Sequence, residues 1–244
     1  MKAVILAGGK GTRLAPYTRI IPKPMMPIGD KAILEIMLHQ LRRAGIHEVI
    51  ITVGHLAGLM RAFFQDGSHL GLNICYSYEE KPLGTAGPLS LIEGLDEGFM
   101  VCNGDILTTL NIPELLDFHR DNKSVATIAS HIRKVHIDLG VIKTNGNHEI
   151  IGYQEKPTIN YLVSMGIYVF EPIVLDYIAK NQYLDFPDLI KILIANKKKV
   201  VAYPFTGYWE DLGRPDDYEQ ANIDFEKMRE QFLPQEDPWT GACP

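Results

Sequence analysis

The sequence predicts an α/β protein with a doubly wound sheet and right-handed crossovers, and three observations carry that prediction. Apolar bursts of strand length alternate with helix-period patterns through the first half of the chain. The first burst, Ala3-Val4-Ile5-Leu6-Ala7, runs straight into Gly8, Gly9, Lys10, Gly11, Thr12 and Arg13. A buried parallel strand reads as such a burst, and glycines after it let backbone N–H groups close around an anion. The 244 residues are 46% hydrophobic and 22% charged, which is enough apolar material for one large core.

Taken in order, residues 2–7 read as the first strand. Residues 31–44 read as a helix, with Ile33, Ile36, Met37, Leu38 and Leu41 on one face. The next strand is 48–53, Glu-Val-Ile-Ile-Thr-Val, followed by a short helix over 57–65 and a strand over 73–78. A helix is expected over 85–94, with Thr85 as its N-cap, before a buried strand over 99–102 that ends at Asn103-Gly104-Asp105. In doubly wound sheets the ligand lies beyond the carboxyl ends of the strands, where Gly8–Arg13 and Asn103–Asp105 both fall. The second half gives a helix at 112–121 and strands near 124–132 and 138–143. Asn145-Gly146 is a hairpin signal before 148–155. A strand over 165–170, helices at 171–180 and 186–196, a strand at 199–204 and a closing helix at 215–231 complete the reading. The tail, LPQEDPWTGACP, is set apart from the core, with Trp239 free to pack on the body or on a neighbouring subunit.

The net charge of −6 argues against non-specific nucleic-acid binding, but a few local cations suffice for a phosphorylated substrate. Cys75, Cys102 and Cys243 are odd in number and widely spaced, so neither a disulfide framework nor a zinc site is expected. Cys75 and Cys102 read as inert core thiols. With no long apolar run and no signal-peptide cleavage pattern, a cytoplasmic protein without membrane contact is expected. The eight histidines show no ligand spacing, and no Ser–His–Asp or Cys–His arrangement stands out.

Two phosphate loops are excluded. A Walker A loop needs Gly-Lys-Ser/Thr, whereas Gly11 precedes Thr12-Arg13; a dinucleotide fingerprint needs a third glycine where Leu14 stands. Arg13 and Pro22-Lys23-Pro24 add cations to a proline-stiffened segment. The whole stretch resembles the Gly-x-Gly-Thr-Arg-Leu…Pro-Lys-Pro signature of the sugar-1-phosphate nucleotidyltransferases (nucleotide-sugar pyrophosphorylases). Asn103-Gly104-Asp105, Glu155-Lys156-Pro157 and Tyr208-Trp209-Glu210-Asp211-Leu212-Gly213 extend the resemblance in the expected order over about residues 1–222.

The resemblance implies a three-layer α/β/α Rossmann-like nucleotidyltransferase fold with a mixed, mostly parallel central sheet. It makes residues 1–232 a single domain, with a nucleotide-binding half over about 1–110 and a sugar-binding half over about 111–222; residues 233–244 are the tail. It implies transfer of a nucleotidyl group from an NTP to a sugar 1-phosphate, giving NDP-sugar and pyrophosphate. Arg13 and Lys23 become the catalytic cations, and Asp105 and Asp211 the Mg²⁺ ligands. Glu210, next to Asp211, matches the family's variable position. Leu6, Ala7, Gly8, Gly9, Gly11, Thr12, Arg13, Glu79, Gly84, Thr85, Asn103 and Gly104 would hold the nucleotide. Gly140, Glu155, Lys156 and Gly166 would hold the sugar phosphate.

Leu139-Gly140-Val141 and Ser164-Met165-Gly166 depart from the family's aromatic-Gly-Val and Asn-Ala-Gly, so the sugar is left open. Leu83-Gly84-Thr85-Ala86-Gly87 leans toward the short mannose- or heptose-1-phosphate guanylyltransferase-like enzymes and hence GTP. Uridylyl, cytidylyl and thymidylyl transfer stay open. Two other readings also stay open: a catalytically silent nucleotide-sugar-binding regulator, and a cytidylyltransferase acting on a non-sugar or cyclitol phosphate. A homo-oligomer is neither required nor excluded.

Overall fold

The computed structural model describes residues 1–234. Strands β1 (Lys2–Ala7), β2 (Pro27–Ile28) and β3 (Lys31–Ala32) precede helix α1 (Ile33–Arg43). Then come β4 (Glu48–Val53), α2 (Ala57–Phe64), β5 (Asn73–Tyr78), β6 (Phe99–Asn103), β7 (Ile106–Thr108) and α3 (Ile112–Asn122). The remainder is β8 (Ala126–His136), β9 (Val141–Thr144), β10 (Ile150–Gln154), β11 (Thr158–Phe170), α4 (Phe186–Ala195), β12 (Val200–Phe205), β13 (Trp209–Asp211) and α5 (Pro215–Phe232).

Seven strands form one sheet in the order β12-β8-β11-β6-β1-β4-β5. Every pairing is parallel except those of β11, which runs antiparallel to both β6 and β8. The sheet is therefore mixed and mostly parallel, and its order reverses at β1, so the Gly8 loop leaves it at a switch point.

The period-2 alternation of β1 divides the core. Ala3, Ile5 and Ala7 join Leu34, Met37, Leu38 and Leu41 of α1, Met60 and Phe64 of α2, and Leu115 of α3. Val4 faces the other layer with Phe170, Phe186, Leu189 and Leu193. A third cluster fixes α5 by Phe225 and Phe232 against Ile28, Ile33, Leu107 and Leu212. Helices on both faces of one sheet give three layers.

Several elements differ from expectation. The helix expected at 31–44 begins with the β2–β3 hairpin, because Ala32 is extended (φ −69°, ψ 142°) and pairs with Pro27. No α-helix forms over 85–94. The Leu184 carbonyl accepts from both Ala86 N (2.9 Å) and Gly87 N (3.0 Å), and only a 3-10 turn, Gly87–Leu91, remains. Thr85 instead serves α4: its Oγ1 accepts from Phe186 N at 2.8 Å. The helix expected at 171–180 is likewise a 3-10 turn, Pro172–Tyr177, closed by Val174 N to Glu171 O (3.0 Å). Strands 124–132 and 165–170 extend to Ala126–His136 and Thr158–Phe170 and pair along their length, with a register shift between Ser164 and Tyr168. Cys102 is buried as expected, but Cys75 is exposed on the edge strand β5. Cys243 and Trp239 lie outside the described residues.

Candidate active site

The site is built where β1 and β6 end side by side. Gly104 N donates to Leu6 O at 3.0 Å, and a Cβ on Gly104 would stand 3.1 Å from Pro24 Cγ. The absent side chain lets the 3-10 turn Lys23–Met25 lie close against the strand ends. Gly11 is left-handed (φ +59°), and a Cβ there would meet Thr18 Cγ2 at 2.9 Å and Lys23 Cβ at 3.2 Å. Thr18 Oγ1 donates to Gly11 O at 2.7 Å and fixes the loop over Lys23.

Lys23 is the centre of the constellation. Its Nζ is ion-paired to Asp105 Oδ2 and lies 3.4 Å from Asp211 Oδ1. The lysine side chain is 10% exposed, Asp105 20% and Asp211 44%. The two carboxylates converge because β13 pairs antiparallel with β7, register Asp211↔Ile106, and Leu212 N donates to Asp105 O at 3.3 Å. Both adjacent acids, Glu210 and Asp211, line a cleft, but only Asp211 of the two is ion-paired to Lys23. Burial and the Asp217 carboxylate push Glu210 above the usual carboxylate range, against the pull of Arg133.

That cleft, of roughly 390 Å³, is lined in part by Arg13, His131, Arg133, Glu210, Asp211 and Arg214. Arg13 is exposed, and its guanidinium lies so close to Gly213 that a Cβ there would stand 2.9 Å from Nη1. Trp209 donates through Nε1 to Met165 O at 3.0 Å and lies against His131, ring centroids 5.6 Å apart.

The two other loops on the nucleotide side also meet. A Cβ on Gly8 would stand 2.5 Å from Glu79 Oε1, and Glu79 Oε2 accepts from Leu83 N at 3.1 Å. Burial raises the Glu79 carboxyl above its ordinary range, with the Leu83 N–H opposing. Gly84 is left-handed (φ +79°) against the Leu184 carbonyl, and Thr85 N donates to Asp185 Oδ1 at 2.9 Å. With no α-helix after Thr85, this loop presents no α-helix N-terminus. Gly9 has open space around it, and Thr12 begins an exposed 3-10 turn.

On the sugar side the gathering is incomplete. Gly166 (φ +73°) lies against Asn103, whose Nδ2 would be 2.5 Å from a Cβ at that position. Gly140 lies against Tyr153, whose hydroxyl donates to Glu155 Oε2 at 3.0 Å. Glu155 and Lys156 are exposed at the end of the β8–β11 ribbon, beside the Ile137 N to Pro157 O bond (3.1 Å), and neither touches Lys23, Asp105 or Asp211. The sequence reading missed Arg133 and Arg214. Their only signal was two cationic positions beside a strand predicted to end at 132 and beside Asp211-Leu212-Gly213.

The carboxylate pair fits a divalent cation. Two oxygen ligands aimed at one cationic position, beside a phosphate-type loop, match Mg²⁺, which takes one or two carboxylates with substrate phosphates and water. No cluster of three or more His, Cys, Asp or Glu side chains suited to a metal occurs among the described residues, and none of their helices is long and apolar enough to cross a membrane.

Comparison with known proteins identifies the family. The chain is 37% identical over 241 residues to the UTP–glucose-1-phosphate uridylyltransferase of Synechocystis, covering 91% of this chain and 62% of that protein. It is 35% identical over 230 residues to the mannose-1-phosphate guanylyltransferase of Mycobacterium tuberculosis, covering 91% and 64%. The chain thus spans a little under two thirds of the length of these curated relatives. The crystal structure of HddC from Yersinia pseudotuberculosis, complexed with GMP-PN, superposes with a TM-score of 0.69 at 24% identity, over 92% of this chain and 99% of that one. The nucleotidyl transferase family model matches residues 2–228, and the chain belongs to that family.

Proposed function

We propose that the protein transfers a nucleotidyl group from an NTP to a sugar 1-phosphate and releases pyrophosphate. The observation that carries the reading is the convergence of Asp105 and Asp211 on Lys23 beneath the Gly8–Arg13 loop. An oxygen of the sugar phosphate bonds to the α-phosphorus as the bond to the pyrophosphate oxygen breaks, and the bonding electrons leave with pyrophosphate. Such in-line displacement needs positioning and charge neutralisation rather than a protein nucleophile. Arg13, exposed at the cleft mouth, holds the β- and γ-phosphates and the leaving group. Lys23 holds the α-phosphate region against the attacking oxygen. Asp105 and Asp211 would hold Mg²⁺, which when bound supplies neutralisation of the charge shared by both phosphates.

Residues of about 1–110 form the nucleotide-binding half of a single domain, and those of about 111–222 the sugar-binding half. Leu6, Ala7, Gly8, Gly9, Gly11, Thr12, Arg13, Asn103 and Gly104 surround the phosphates and ribose; Glu79, Gly84 and Thr85 read the base through loop backbone. Gly140, Glu155, Lys156 and Gly166 belong to the sugar. The base proposed is guanine, supported by the guanylyltransferase relatives; the uridylyltransferase relative makes UTP its competitor.

The test is pyrophosphate release with Mg²⁺, crossing GTP, UTP, CTP, dTTP and ATP against a panel of sugar 1-phosphates. Release that requires GTP and one sugar 1-phosphate together is expected. Release with UTP alone among the nucleotides would keep the reaction and overturn the base. Nucleotide-sugar binding without any turnover would replace the enzyme by a binding module.

A further inference from the structure

The cleft beside Asp211 carries more positive charge than the proposed reaction has yet used. Arg13, Arg133, Lys134 and Arg214 all line it, opposed by Glu210, Asp211 and Asp217. In a chain of net charge −6, cations gathered at one cleft mark where an anion is received. Arg133 forms no ion pair among the described residues and acts on Glu210 only at longer range.

Topology explains how Arg133 comes to face the cleft. Strand β12 covers the outer edge of β8 only as far as the Phe205↔His131 pair. From Ile132 onward that edge has no strand against it among the described residues, while the inner edge stays paired, Arg133 with Tyr161. The edge opens within two residues of where Trp209 and His131 meet, and Trp209 is two residues from Asp211 along β13. Lys156, the cation the family resemblance assigns to the sugar phosphate, lies far along the same ribbon. The step along β11 from Thr158 to Tyr161, the partner of Arg133, is about 10 Å, at about 3.3 Å per residue, and to Ser164 about 20 Å.

Resting on the proposed transfer reaction, we infer that Arg133, supported by Arg214, seats the phosphate of the sugar 1-phosphate beside Asp211. Arg13 reaches the same cleft from the nucleotide-binding loop and Arg133 from the strands of the sugar half, so the leaving group and the incoming phosphate each meet a guanidinium there. A guanidinium suits this position because its planar fork donates to two phosphate oxygens at once.

Two measurements test the assignment. The first is steady-state pyrophosphate release by Arg133→Ala, Arg133→Lys and the unsubstituted protein. The second uses Trp209, which lines the cleft, as a fluorescence reporter of inorganic phosphate binding in a Trp239→Phe background. Arg133→Ala is expected to raise the KM for sugar 1-phosphate about 10- to 100-fold, the scale of a lost charge-assisted hydrogen bond, with the NTP KM unchanged. Saturable phosphate quenching should weaken in parallel, and Arg133→Lys should recover part of both. A rise confined to the NTP KM would hand the site to the nucleotide phosphates and overturn the assignment. Equal phosphate titrations with and without Arg133 would overturn it outright. If the unsubstituted protein turns over no sugar 1-phosphate, the transfer reading fails by itself, and the phosphate titration still decides whether Arg133 holds a phosphate.

Discussion

Strands β8 and β11 pass through two environments, and the contrast divides the molecule's chemistry. Near the base, Ala126–Ser130 pairs with β12 on one side and β11 on the other, and Met165–Phe170 is buried. Farther out, β12 has ended, and the side chains of Ile132, Tyr161 and Leu162 are at least half exposed. The β9–β10 hairpin beyond pairs only with itself, and Ile150 and Ile151 are each 66% exposed. Lys23, Asp105 and Asp211, proposed to handle phosphate, sit where the packed sheet ends; Gly140, Glu155 and Lys156, proposed for the sugar, sit on the exposed extension. A two-stranded hairpin without further partners is marginal alone, so its side chains are free to change with the ligand they read. Packing, by contrast, holds the reacting end in one arrangement.

The largest expected effect breaks the comparison if it is misplaced. Phe170 is fully buried, with Phe99, Tyr168 and Phe186 rings at centroid distances of 6.0, 5.6 and 5.6 Å. Phe170→Ala should cost about 3–5 kcal/mol in a chemical-denaturation measurement. Ile151→Ala on the hairpin should stay within about 0.5 kcal/mol. Comparable losses at both positions would mean that the hairpin is packed against something and that the division fails.

Next in size is the carboxylate pair. Asp105→Asn and Asp211→Asn should each lower kcat for pyrophosphate release by about 100-fold or more, the scale of losing one electrostatic stabiliser. Unfolding should separate the two: Asp105, 20% exposed beside Lys23, should lose more stability than Asp211, 44% exposed. Near-unchanged turnover in both variants would remove the pair from the reaction and leave it a structural clamp.

The reacting end was legible in the sequence because each part of it is local. A strand burst, a glycine loop, Pro22-Lys23-Pro24, Asn103-Gly104-Asp105 and Tyr208-Trp209-Glu210-Asp211 are each contiguous, and ordinary sheet topology brings their ends together. The short β7–β13 pairing was not legible, since three-residue strands carry no period. The false helices at 85–94 and 171–180 had enough apolar residues, but in the first Leu184 O takes the Ala86 and Gly87 N–H groups, and the second closes as a 3-10 turn on Glu171 O. Arg133 escaped notice because its role depends on where β12 stops, which is a fact of the fold rather than of the residues around it.

The smallest effect expected tests whether the base of β8 anchors what extends from it. His119 of α3 is buried, with Nδ1 2.7 Å from Thr127 Oγ1 and Nε2 3.2 Å from Glu171 Oε1, and Ser124 Oγ lies 2.9 Å from the same threonine oxygen. Burial holds its imidazole below the ordinary 6.5, although the Glu171 carboxylate pulls the other way. The unfolded chain therefore takes up the proton first as pH falls. The stability this residue contributes is present above 6.5 and is lost as pH drops below that value. The melting temperature should accordingly fall between pH 7.5 and pH 5.5, and His119→Gln, polar but unable to charge, should flatten that slope while lowering the melting temperature at pH 7.5. Parallel slopes would show that other histidines set the acid response. A flattened slope accompanied by unchanged proteolytic cleavage within residues 132–162 would show that the exposed ribbon moves independently of its anchor, and a change in both would tie the two ends of β8 together.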